Sequence, residues 1–271
     1  IIGFSGSFHG RSYAAVNSSG NASYLDGFGP RLPGYVQCEF GDWEKLKTLV
    51  GPTTAGILIE PVQGEGGCRA VPDDVLKMMR ELCDKHGALL IYDEVQCGVG
   101  RTGKLFAYEW SGVAPDVMCV AKGIGAGFPL GACFATREAA TGMVKGTHGS
   151  TYGGNPLAMA VGKAAFDIIA DEDFLAGVRD TANHLGQALE GLKDRHPGLV
   201  EEIRGKGLLR GIKLKIDPKP IQASARERGL LVGVAGDNCV RLAPPLIATG
   251  AHIADAVEIL DQALTAAKVP A

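Results

Sequence analysis

The chain has 271 residues, 46% of them hydrophobic and 21% charged, with a formal net charge of −3. That length can bury one large core or two ordinary ones. Lys and Arg are scattered rather than bunched, so there is no basic stripe of the kind that nucleic acids or anionic membranes require, and small-molecule chemistry is favoured.

The chain opens on Ile1 inside a strand-like run, "IIGFSGSFHG", and the reading expects a further segment upstream. Three later apolar runs end alike: "AGILIE" on Glu60, "ALLIYDE" on Asp93 and Glu94, and "DVMCVAK" on Lys122. Each reads as a buried strand. Between the first two lies "DDVLKMMRELCDKH", which puts Val75, Met79, Leu82 and Cys83 on one helical face, with Asp73 or Asp74 as its cap. Strand, helix, strand implies a parallel sheet, and in open α/β sheets ligands bind beyond the carboxyl ends of the strands. Glu60, Asp93 and Lys122 are therefore expected at one crevice. "GGNPLAMAVGKAAFDII" starts a helix at Asn155 and Pro156, with a stripe through Ala158, Val161, Ala165 and Ile168. The pattern then changes, dividing the chain into a large domain (residues 1–165) and a smaller α+β domain (residues 166–271). The second holds an amphipathic helix near residues 173–195, strands in "GLLRGIKL" and "CVRLAP", and a last helix over residues 253–267.

Seven cysteines without a C-x-x-C pair read as small core residues in a reducing compartment, which with no signal-peptide pattern suggests the cytoplasm. Residues 117–136 make a poor membrane span, since glycines, Pro129 and Lys122 interrupt them. No His, Cys, Asp or Glu cluster has metal-ligand spacing, and no G-x-S-x-G elbow occurs. "GVGRTGK" (residues 98–104) imitates two nucleotide-binding motifs, but Leu105 stands where a phosphate loop needs a hydroxyl, and Asp93 and Glu94 intervene where a dinucleotide loop needs glycine. It reads as a turn-rich loop.

Asp93 and Lys122 at neighbouring strand ends leave two readings, an internal salt bridge or a catalytic pair. The chemistry that demands both is pyridoxal phosphate catalysis, in which an amine bonds the aldehyde and a carboxylate keeps the pyridine nitrogen protonated. "SFHGRS", "EPVQGEGG", "LLIYDEVQCGVGRTG", "AKGIGAGFPLGA", "HGSTYGGNPLA" and "VRLAPPL" occur in this order, and together the chain resembles the class III, fold type I aminotransferases, those of the acetylornithine type most of all. The resemblance implies an α/β fold with a mostly parallel sheet and an upstream stretch completing the phosphate and substrate sites. It makes Lys122 the Schiff-base lysine and proton shuttle, pairs Asp93 with the ring nitrogen, packs Val95 and Phe8 against the two ring faces, and gives Gln96 the ring hydroxyl. Ser150 and Thr151 would reach the phosphate in a neighbouring subunit, which implies a homodimer with shared sites.

The resemblance further assigns Arg11 and Arg241 to substrate carboxylates, Glu65 to masking Arg241, and Glu60 to support from behind; Arg101 and Arg137 are read as structural. The implied reaction moves the terminal amino group of N-acetylornithine to 2-oxoglutarate, giving N-acetylglutamate semialdehyde and glutamate, a step whose reverse serves arginine formation. Other ω-aminotransferases of the class, acting on ornithine, succinylornithine, succinyl-diaminopimelate or 4-aminobutyrate, are the alternatives, with a nucleotide-dependent oxidoreductase further off. Phe8, where 4-aminobutyrate enzymes often carry Tyr, and "YLDGFGP" favour acetylornithine.

Overall fold

The computed structural model describes residues 1–267; residues 268–271, the end of the second predicted domain, lie outside them. In chain order come β1 (Ile2–Phe4), α1 (Tyr13–Ser19), α2 (Ala22–Leu25), β2 (Val36–Cys38), α3 (Trp43–Leu49), β3 (Gly56–Ile59), the small hairpin β4 (Val62–Gln63) and β5 (Arg69–Ala70), α4 (Asp73–His86), β6 (Leu89–Asp93), β7 (Val117–Val120) and β8 (Ala132–Ala135). Six of these strands form one sheet in the order β2-β1-β3-β6-β7-β8, parallel throughout except that β8 runs antiparallel to β7. The apolar runs are strands because both sheet faces are covered: Phe4, Ile57, Met79, Leu90 and Tyr92 are fully buried in one core.

Helix α4 buries Val75, Leu76, Met79 and Cys83, and Gly87 ends it in the left-handed conformation. Its N-cap is Pro72 rather than either aspartate; Asp73 and Asp74 lie in the first turn, where carboxylates favour the helix dipole without a side-chain cap bond. α5 (Pro156–Ile169) starts as read, with the Asn155 side chain accepting from the Ala158 amide. Its buried stripe, however, is Ala158, Gly162, Ala165 and Ile169. Gly162 sets this face: a Cβ there would fall 2.5 Å from Leu130 Cδ2, so the missing side chain admits Leu130.

α6 (Glu172–Arg195) leads into a second, antiparallel sheet ordered β11-β12-β10-β9, built from β9 (Val200–Lys206), β10 (Leu209–Leu214), β11 (Gly233–Ala235) and β12 (Cys239–Leu242). α7 (Lys219–Glu227) and α8 (Gly250–Thr265) complete this part, and Leu185, Leu189, Leu192, Ile212, Val240 and Leu260 fill its own core. Antiparallel strands and helices make this part of the chain α+β. No helix among the described residues is long and apolar enough to cross a membrane.

Candidate active site

Strand register builds the site. Ile59 pairs with Tyr92 and Asp93 with Cys119, so Glu60 and Asp93 leave the sheet side by side and Lys122 follows two residues beyond the end of the next strand. Asp93 Oδ1 accepts from the Val95 amide at 3.0 Å, and Oδ2 lies 2.7 Å from His9 Nδ1; the two side chains are only 9% and 4% exposed. His9 Nε2 is buried without a partner. Glu60 is buried beside this pair and accepts from the amides of Phe8 (3.2 Å) and Gly64 (3.4 Å). Burial, reinforced by the Asp93 charge, pushes its carboxyl up to about 8, so Glu60 holds its proton at neutral pH. Glu94, buried under the Ala107 and Tyr108 amides, is raised to about 7, again chiefly by burial.

The sequence places Lys122 in an apolar run and invites burial as the reason for a neutral amine. The structure differs. β7 ends at Val120, and Lys122 opens a 3-10 turn, Lys122–Gly125, exposed and with a left-handed φ of 48°. That backbone state costs about 1 kcal/mol or more in a non-glycine residue. Lys122 there lines a cavity of about 790 Å³ together with Val95, Gln96, Glu65 and Arg241.

Across that cavity Arg241 Nη1, on β12, donates to Glu65 Oε1 at 2.6 Å and to Gln96 Oε1 at 3.1 Å. Glu65 sits in the β4–β5 hairpin, whose backbone is fastened to the second sheet by the Gly236 amide donating to the Glu65 carbonyl at 2.7 Å. Gly64 leaves the room that the Gln96 amide occupies: a Cβ would lie 1.6 Å from Gln96 Oε1, and the amide would have to move. Phe8 lines an adjoining cavity of about 640 Å³ with Tyr24 and, again, Glu65. The Arg11 guanidinium lies over the Tyr24 ring, 4.0 Å from its centroid, and 5.5 Å from that of Phe8.

Lys122, Val95, Gln96, Glu65 and Arg241 thus line one space. Asp93 does not line it but is bound to the Val95 amide beside it, Phe8 lines the adjoining cavity, and Arg11 lies against Phe8 and Tyr24 without lining either cavity. Ser150 and Thr151 are exposed and line neither cavity, and Ser150 Oγ accepts from the Gly153 amide. Arg101, lowered to about 10 by burial, ties the sheet to the second unit by donating to the carbonyls of Leu208 and Pro244. Arg137 is exposed. Residues 98–104 form turns, and only a four-residue 3-10 helix, Ala107–Trp110, follows rather than the α-helix a nucleotide-binding loop opens. His9 is the member that residue-level reading passes over. Its signal is adjacency, since it lies inside "SFHGRS" between the two residues the motif does point to.

The sequence profile of the family described as "Aminotransferase class-III" matches residues 1–264. The chain belongs to the class-III aminotransferases. Among curated members, acetylornithine aminotransferase 2 of Caulobacter vibrioides is 57% identical over all of this chain and 67% of its own length, and acetylornithine aminotransferase of Mesorhizobium japonicum is 54% identical over 95% and 64%. This class-III chain therefore spans about two thirds of the length of the curated relatives it matches. Among solved structures, ornithine aminotransferase of Toxoplasma gondii superposes with a TM-score of 0.91 at 32% identity, over 98% of this chain and 64% of that one. A PLP-bound amine transaminase from an uncultivated Pseudomonas species gives 0.88 at 32% identity, over 97% and 69%.

Proposed function

We propose that the chain carries the core of a pyridoxal-phosphate-dependent enzyme that transfers the terminal amino group of N-acetylornithine to 2-oxoglutarate in two half-reactions, in the cytoplasm and as a homodimer. The observation that carries this reading is the Glu65–Arg241 pair at 2.6 Å in the cavity that Lys122 also lines. Names of relatives at 50–57% identity support the acetyl donor.

The residues present fit the cofactor. Asp93 is a buried carboxylate oriented by the Val95 amide and His9, Lys122 supplies an amine at the cavity wall, and Val95 adds an apolar surface beside it. Pyridoxal phosphate supplies an aldehyde that takes up amines and a ring that stores the electron pair released at the substrate carbon. Lys122 Nζ would hold the cofactor and would carry the proton at the substrate carbon. Asp93 would hold the proton on the ring nitrogen, and Gln96 would serve the ring hydroxyl. Phe8 would stack on the ring, and the exposed Ser150 and Thr151 would serve the phosphate of a neighbouring copy.

The donor presents one carboxylate far from its reacting amine, which Arg11 binds, while Glu65 neutralises Arg241. Glutamate adds a carboxylate next to the reacting carbon; Glu65 then releases Arg241, whose planar fork suits it. A coupled assay on a panel of ω-amino donors tests the assignment. N-acetylornithine should exceed ornithine, succinylornithine, succinyl-diaminopimelate and 4-aminobutyrate in kcat/KM by roughly tenfold or more. Preference for another donor would move the assignment within the class.

A further inference from the structure

We propose that Gln96 determines specificity by keeping Arg241 in the cavity when Glu65 leaves it. The inference rests on the dicarboxylate role of Arg241 given above, and begins from a three-way contact. Arg241 Nη1 has two acceptors, Glu65 Oε1 at 2.6 Å and Gln96 Oε1 at 3.1 Å, and Gln96 Nε2 donates to the same Glu65 oxygen at 3.4 Å. The amide is turned with oxygen to the cation and nitrogen to the anion, the orientation that satisfies both.

The three members are not equally free. The Glu65 side chain is 40% exposed and that of Arg241 19%, so the carboxylate has the readier path to water. A pair this open to solvent is weak and separable. Gln96 is held: it belongs to the turn that leaves β6, where the Gly98 amide closes on the Glu94 carbonyl at 2.9 Å, and it fills the space left by the missing side chain of Gly64. When Glu65 swings outward, an arginine on a long flexible stem would follow it unless something else accepted its proton. Gln96 Oε1 does so. Because the amide is neutral, it keeps the guanidinium in place without cancelling its charge, leaving the remaining donors to a substrate carboxylate.

A carboxylate at position 96 would reverse this. Gln96→Glu has the same shape but sets a permanent anion against Arg241 and repels Glu65 from the pocket. Arg241 would stay, yet be unavailable to substrate.

The test is calorimetric binding to the cofactor-free protein of two unreactive ligands: glutarate, which carries both carboxylates of the short substrate, and N-acetylnorvaline, which carries the single carboxylate of the long donor. Arg241→Ala should weaken glutarate about tenfold or more, and Gln96→Glu should match it, as for loss of a hydrogen bond to a charged group. Gln96→Ala should weaken glutarate by about threefold or more, and all three variants should move N-acetylnorvaline much less. If Gln96→Glu and Gln96→Ala bound glutarate as wild type does while Arg241→Ala did not, the inference would fall and the role of Arg241 would stand. Equal weakening of both ligands by the Gln96 variants would make the amide merely structural and overturn it as well. An Arg241→Ala protein with unchanged glutarate affinity would sink the dicarboxylate reading and this inference together.

Discussion

His9 and Asp93 face each other at 2.7 Å almost without water, and the second Asp93 oxygen is taken by the Val95 amide. A hydrogen bond to a charged group that has little solvent to replace it contributes about 1.5–3 kcal/mol, so removing His9 should loosen the carboxylate proposed to meet the cofactor ring. His9→Ala is expected to weaken pyridoxal phosphate binding by about tenfold, read as the dissociation constant from absorbance titration, while Asp93→Asn lowers single-turnover rate more than binding. Unchanged affinity in His9→Ala would show that Val95 alone orients Asp93. At the same scale, Lys122→Ala should abolish the visible absorption of the bound cofactor. Asp93 and Lys122 are legible in the sequence because each is the first polar residue after an apolar strand. The His9–Asp93 contact spans 84 residues and involves a histidine with no metal or triad spacing, so nothing local marks it. Arg241 and Glu65, 176 residues apart, are paired in the sequence only through the family resemblance.

Elements follow the apolar period where the side chains are large and lose it where they are small. α4 shows its face through Val75, Met79 and Cys83, whereas in α5 alanines and Gly162 blur the stripe by one residue. The structure leaves Ile168 61% exposed and Ile169 6% exposed. Ile169→Ala should therefore destabilise by about 2–5 kcal/mol, whereas Ile168→Ala stays within about 0.5 kcal/mol. Thermal midpoints of the two variants check this; a larger loss from Ile168→Ala would mean that the helix is rotated from the described face. The first third of the large sheet was less legible for a different reason. α1, α2 and α3 have at most seven residues each, too few turns for a period to emerge.

The whole molecule carries protonation as well as packing. Glu60 rises from an ordinary 4.5 to about 8 on folding, and Glu94 to about 7. Between those values the unfolded chain has released the proton that the folded one keeps, so stability falls as pH rises from about 4.5 to about 8 and levels off beyond. For Glu60 the change is on the order of 3–5 kcal/mol. Asp261, held below its ordinary range by Arg195 and His196, acts in the opposite direction and only at lower pH, where its stabilisation is lost as the pH falls. Thermal midpoints of wild type should decline across pH 5 to 8, and Glu60→Gln should flatten the slope; an identical slope would mean that Glu60 is ionised in the fold. The proposed specificity pair spans the two packed units, since Glu65 comes from the hairpin of one and Arg241 from the sheet of the other. Stopped-flow measurement of each half-reaction in Glu65→Ala and Arg241→Ala tests that arrangement most directly. Freeing Arg241 by Glu65→Ala should raise the glutamate rate relative to the N-acetylornithine rate by roughly tenfold to a hundredfold, and Arg241→Ala should slow the glutamate half alone. Equal slowing of both halves by both variants would contradict the account.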